Sequence, residues 1–99
     1  MQTLGGIERI WQLTKAMEQA AAVGEWERAA QLVSERSPLI MSLSAPQSPA
    51  VLDVLDRVRV IDSQIDAAAK SAQSDLSAEY SAAMQATRQA GVYECVAHL

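Results

Sequence analysis

Apolar residues recur at steps of three and four along most of the chain, and the stripes they draw predict three helices. Ile7, Ile10, Thr14, Met17 and Ala21 form the first stripe, with one polar interruption, and Trp11 and Leu13 widen it. A helix over about 7–23 follows, led in by the breakers Gly5 and Gly6. Gly24 can adopt positive φ and so stop that helix. Glu25 and Glu27 then suit the first turn of the next helix, whose dipole favours negative charge. Trp26 stands at the corner as a large amphipathic anchor. The spacing predicts a tight antiparallel hairpin. Its second helix runs over about 25–43 on Trp26, Ala29, Val33, Ile40 and Leu43, with Leu32 and Leu39 beside them. Arg36 falls on this apolar stripe and interrupts it. Pro38 lies inside the same pattern and removes a backbone hydrogen bond. The helix is therefore kinked near Ser37 or split there. The continuing stripe favours the kink.

Residues 44–48 (SAPQS) read as a loop that ends on an N-cap, Ser48, with Pro49 at the first helical position. No glycine or proline follows until Gly91, so one long third helix is predicted over about 49–90, roughly 63 Å from end to end. Val51, Val54, Val58, Ile61, Ile65, Ala68 and Ala72 keep a heptad seam. Ala72, Leu76, Tyr80 and Met84 are then spaced by fours, so the stripe drifts around the helix. Asp53/Arg57 and Asp66/Lys70 are i,i+4 pairs with the acid first. The first half of this helix is rich in branched aliphatics and the second in Ala and Ser. The two shorter helices can cover only half of it. The rest must project, fold back, or be covered by another chain. The expected fold is all-α: an antiparallel helical hairpin packed on a long third helix in one domain, 1–99, with a short C-terminal extension over 92–99.

Composition narrows the function. Hydrophobic residues make up 49% of the chain, many of them Ala, and Phe is absent, so the core is thin for its length. Eight basic residues stand against twelve acidic ones, a net charge of −4. That balance argues against a nucleic-acid footprint and against an anionic membrane surface. No apolar run is long enough to span a bilayer, and the first residues do not read as a secretory signal. The lone Cys95 allows no internal disulfide, which fits a reducing cytoplasm.

Catalysis has little to stand on. His98 is the single histidine, and Cys95 lies three residues before it. A metal site there would need more ligands, and a Cys–His nucleophile would need a rigid pocket. Neither a catalytic residue nor a cofactor is expected. Trp11, Trp26, Met17 and Met41 read as core. Asp53, Asp56 and Asp66 read as a solvated face. Asp62 differs, because it lies directly beside the seam, placed to accept a hydrogen bond from the first or second helix.

Gly24-Glu25-Trp26-Glu27, then Glu35-Arg36 with Leu39 and Leu43, and further on Val60-Ile61-Asp62 with Ile65, resemble the FliT family of bacterial flagellar export chaperones over about residues 4–85. The resemblance implies a non-catalytic cytoplasmic chaperone of flagellar type III export. Its implied client is the C-terminal helical region of the filament-capping protein, with the export gate or export ATPase complex as further partners. Family members often carry a distinct fourth helix after the third; here only eight residues follow Gly91, a departure that puts any tail-based regulation in doubt. The apolar residues Ile65, Leu76, Tyr80 and Met84, with Val92, Tyr93 and Val96 of the tail, are the candidate partner-binding set. Two readings of Leu76, Tyr80 and Met84 stand side by side: packing against the tail or a second copy, or one wall of a groove for an amphipathic helix. The competing function is a structural homodimeric bundle or a small protein-binding regulator.

Overall fold

The computed structural model describes residues 2–43 and 48–89. These form four α-helices and no strand: α1 (Gln2–Ala22), α2 (Trp26–Met41), α3 (Pro49–Ala72) and α4 (Asp75–Gln89). The all-α class expected from the stripes holds. The helix α1 starts earlier than its stripe does, running through Gly5 and Gly6, because glycine in a helix costs only about 1 kcal/mol.

The α1–α2 corner forms as its residues dictate. Gly24 takes φ +75°. Its amide donates to the Ala21 carbonyl at 3.1 Å, and the Glu25 amide donates to the Ala20 carbonyl at 2.8 Å. This pair of bonds is the Schellman closure of α1. Trp26 is buried beside the turn, its ring 5.7 Å from that of Tyr80. The next helix, α2, passes through Pro38 as a single helix and is not split at Ser37. Regular bonding is in place on its far side, where the Ser42 amide donates to the Pro38 carbonyl at 3.0 Å. At the start of α3, Ser48 Oγ accepts the Val51 amide at 3.3 Å and Pro49 opens the helix, as the sequence indicates.

The long third helix is the main correction. It breaks at Gln73 and Ser74, and its second half folds back as α4. Gln73 takes the left-handed conformation, φ 48° and ψ 47°, and its amide closes α3 on the Ala69 carbonyl at 3.2 Å. Ser74 then caps α4. Its hydroxyl accepts the Ser77 amide, and the Ser77 hydroxyl accepts the Ser74 amide, both at 3.1 Å. A non-glycine residue in this conformation costs about 1–2 kcal/mol. Burying Tyr80 and Met84 returns about 1.5–3 kcal/mol each, so the turn is favoured over a projecting helix. Asp66, expected to pair with Lys70 along one helix, pairs across the turn with Arg88.

Packing follows from the reversal. One helix, α1, packs on α2 and α3, and α4 packs on the same two helices from the other side. The core lies in two clusters. The larger joins Leu13 and Met17 of α1, Trp26 and Val33 of α2, Ile65 of α3 and Tyr80 and Met84 of α4. The smaller joins Ile7, Ile10, Ile40, Val51, Leu55 and Val58, from α1, α2 and α3 alone. The inward face of α3 is shifted from the heptad seam, with Leu55 and Ala69 buried where Val54 and Ala68 were expected. Met41, expected in the core, is 45% exposed, because Ile40 takes the inward position at the end of α2.

The Gln73 turn gives a direct test by thermal denaturation. Gln73→Gly relieves the left-handed strain but loosens the unfolded chain, for a net gain of roughly 0.5–1 kcal/mol. Ser74→Ala loses the cap and costs about 0.5–2 kcal/mol. If 49–90 were one helix, Gln73→Gly would destabilise instead. Trp26→Ala should cost about 3–5 kcal/mol if the corner is as buried as described.

Candidate functional site

A polar layer separates the two apolar clusters. At its centre is Arg36, the residue that interrupts the stripe of α2, with no exposed surface. Its Nη1 donates to Asp62 Oδ1 at 2.9 Å and its Nη2 to Asp62 Oδ2 at 3.0 Å, a bidentate pair. Nη1 also donates to Thr14 Oγ1 at 2.9 Å, and Nη2 to Met84 Sδ at 3.3 Å. The Thr14 hydroxyl in turn donates a hydrogen bond to the Ile10 carbonyl at 2.8 Å. One guanidinium thus meets side chains from α1, α3 and α4. The hydrogen bond expected at Asp62 comes from the second helix.

The other side of this layer is the seat of α4, a groove between α2 and α3. Ala30, Val33 and Trp26 of α2 and Ile61, Ile65 and Ala69 of α3 belong to the cluster that α4 completes. The inner face of α4 carries Ser77, Tyr80, Met84 and Thr87. Only two of these are large. Ser37 of α2 and Thr87 of α4 share a hydrogen bond, their hydroxyl oxygens 2.5 Å apart. Arg88 pairs with Asp66 near the surface, and that hydrogen bond, ahead of other causes, raises its pKa. The Tyr80 hydroxyl is buried with no hydrogen-bond partner among the described residues. Burial first, then the charges of Asp62 and Asp66, push its titration up, so it stays neutral. Shallow clefts flank α4 on both sides. One lies over Ser34, Pro38, Met41, Ala83 and Thr87, the other over Asp66, Lys70, Ser81, Gln85 and Arg88.

The candidate partner-binding residues therefore divide. Ile65 is in the floor of the seat, 3% exposed. Tyr80 and Met84 fill the seat from α4 and are fully or almost fully buried, so they line no open groove as the chain is folded. Leu76 is 45% exposed at the start of α4. Val92, Tyr93 and Val96 lie outside the described residues, as do Cys95 and His98. The sequence reading did not pair Arg36 with Asp62, nor place Ser37 and Thr87 together. The signal was present: a cation on an apolar stripe and an anion beside another are complementary. Among the described residues no group of His, Cys, Asp and Glu could hold a metal ion, and no helix is long and apolar enough to cross a membrane.

The buried pair makes a sharp prediction for equilibrium unfolding. Arg36→Met strands the Asp62 carboxylate and should cost about 3–5 kcal/mol. Adding Asp62→Leu removes the stranded charge and should recover most of that loss. A double variant no more stable than Arg36→Met would show that the pair itself holds the bundle.

Neither the curated proteins nor the solved structures include a match to the chain. A family match is nonetheless clear. The profile described as "Flagellar protein FliT" aligns with residues 5–94, nearly the whole chain and all four helices but the first residues of α1. It spans the Gly24 corner, the Arg36–Asp62 layer and the reversal at Gln73, and on that extent the chain belongs to the FliT family of flagellar proteins.

Proposed function

We propose that this FliT-family chain is a non-catalytic, cytoplasmic export chaperone whose client is the C-terminal helical region of the flagellar filament-capping protein. The observation that supports this most is the seat of α4. It is a groove between two helices that already holds one amphipathic helix, and the helix it holds has only two large apolar side chains facing in. A groove of this shape accepts another helix whose anchors repeat at three- and four-residue steps.

On this reading Ile65 belongs to the floor that the client meets, with Val33 and Trp26 across from it. Leu76, in the first turn of α4 beside the Gln73 turn, stays nearest the seat when the rest of α4 is displaced and makes a rim contact there. Tyr80 and Met84 hold the place that the client takes. The α4 helix competes with the client, so apparent affinity falls by the fraction of molecules in which the seat is open. Binding is the whole mechanism: the client's apolar face is covered until it is released to the export gate or export ATPase complex.

Calorimetry with a peptide from the C-terminal helical region of the capping protein tests this. The chain should bind it with a one-to-one stoichiometry. Leu76→Glu, on an exposed position, should weaken binding several-fold with an unchanged melting temperature. Tyr80→Ala should lower the melting temperature and tighten binding, because it loosens α4. No heat of binding with any of the three proteins would remove the capping protein as client.

A further inference from the structure

The α3–α4 turn is made from residues that do not need to turn. Between Pro49 and Gln89 there is neither glycine nor proline. The apolar steps run on through Ala72, Leu76, Tyr80 and Met84 as in one helix. Only Gln73 and Ser74 separate α3 from α4. Gln73 is the only non-glycine residue at positive φ among the described residues. Short connections under such strain favour exchange of an element between identical chains.

We infer that the seat between α2 and α3 also takes α4 from a second copy of this chain, in a two-fold exchanged dimer in which α3 and α4 run on as one helix. The occupant is set by what already fits. The second copy's α4 carries the same Tyr80 and Met84 for the same apolar floor, the same thioether for Arg36 and the same Thr87 hydroxyl for Ser37. Each contact that α4 makes within the chain is remade between chains. The difference lies at the hinge. Straightening returns Gln73 to right-handed angles and restores helical hydrogen bonds there, while it gives up the reciprocal Ser74–Ser77 cap. The floor of the seat, Ile65 and Val33 included, is covered in the single chain and is covered again in the joined dimer. The exchange adds no exposed apolar surface once both chains are joined.

The hinge is open to test in the full chain. Concentrated protein is held just below its melting midpoint, cooled, and sized by chromatography with light scattering. A dimer that survives dilution is expected. Gln73→Gly prefers the turn and disfavours the straight helix, so it should weaken the dimer by about 5- to 30-fold per hinge. Gln73→Ala with Ser74→Ala removes the cap and favours the helix, so it should enrich the dimer. Spin labels at Gln64→Cys and Gln85→Cys, in a Cys95→Ser background, report the conformation. With excess unlabelled chain added before warming, the dimer should show an intrachain separation of roughly 30 Å. In the monomer the labels sit on neighbouring helices whose axes are about 8–10 Å apart. A dimer whose yield ignores the hinge variants, or whose intrachain labels stay close, overturns the exchange. So does a double-alanine variant that remains monomeric.

Discussion

Arg36 is the constraint on which the bundle depends. Its guanidinium has no exposed surface, and a buried cation is tolerable only with an anion beside it. Asp62 supplies the anion in bidentate geometry. That geometry requires the carboxylate and guanidinium planes to align, which fixes both the height of α2 against α3 and the rotation of each helix. Thr14 and Met84 then tie α1 and α4 to the same point. Apolar side chains alone would allow many registers in so alanine-rich a core. The polar layer specifies one. Its contribution is to register more than to net stability, since well-packed apolar replacements of such pairs are often neutral.

The four helices do not share this layer equally. The smaller apolar cluster is built from α1, α2 and α3, and nothing of α4 enters it. The α4 helix is held by Tyr80 and Met84, by a thioether acceptor on Arg36, by a hydroxyl pair and by the Arg88–Asp66 bridge, in which Arg88 is about half exposed. Bridges of that exposure contribute about 0–1 kcal/mol. The Tyr80 hydroxyl opposes this sum, since a buried hydroxyl without a partner among the described residues costs about 1–3 kcal/mol. The α4 helix therefore stands at the low-stability end of the molecule, where elements that move are found.

Most of the helical pattern was legible in the sequence because it rests on local causes. Gly24 and the Ser48-Pro49 start act within one turn of chain, and both formed as read. The break at Gln73 was not legible, because no residue there forbids a helix. It is decided by a distant comparison: the apolar area that Tyr80 and Met84 bury on α2 and α3 exceeds the local strain. Two weak signals were available in Ser74 and Ser77, whose spacing suits a reciprocal cap. The same distance explains the candidate site. Tyr80 and Met84 were recognised as anchors, but whether they face a client, a tail or their own core depends on the turn. Arg36 and Asp62 were each noticed as misplaced polar residues. They were not joined, because pairing them requires the relative height of two helices that single-chain periodicity does not supply.

A cover of limited strength suits the proposed chaperone role. An open seat lined by Trp26, Val33 and Ile65 would expose a contiguous apolar patch and invite association. A cover that held the seat closed in all but about one molecule in a hundred would lower client affinity about a hundredfold. The inner face of α4 lies between these extremes. Its Ala and Ser positions keep the helix soluble when displaced, and its two large side chains are enough to close the seat. A stronger cover, with leucine at Ser77 and Thr87, would bury more surface and exclude the client. A weaker one, without Tyr80, would leave the groove open. On the proposed reading, the sparse apolar content that makes this chain look poorly endowed for folding alone would, at α4, let the closed and client-bound states stay close in free energy.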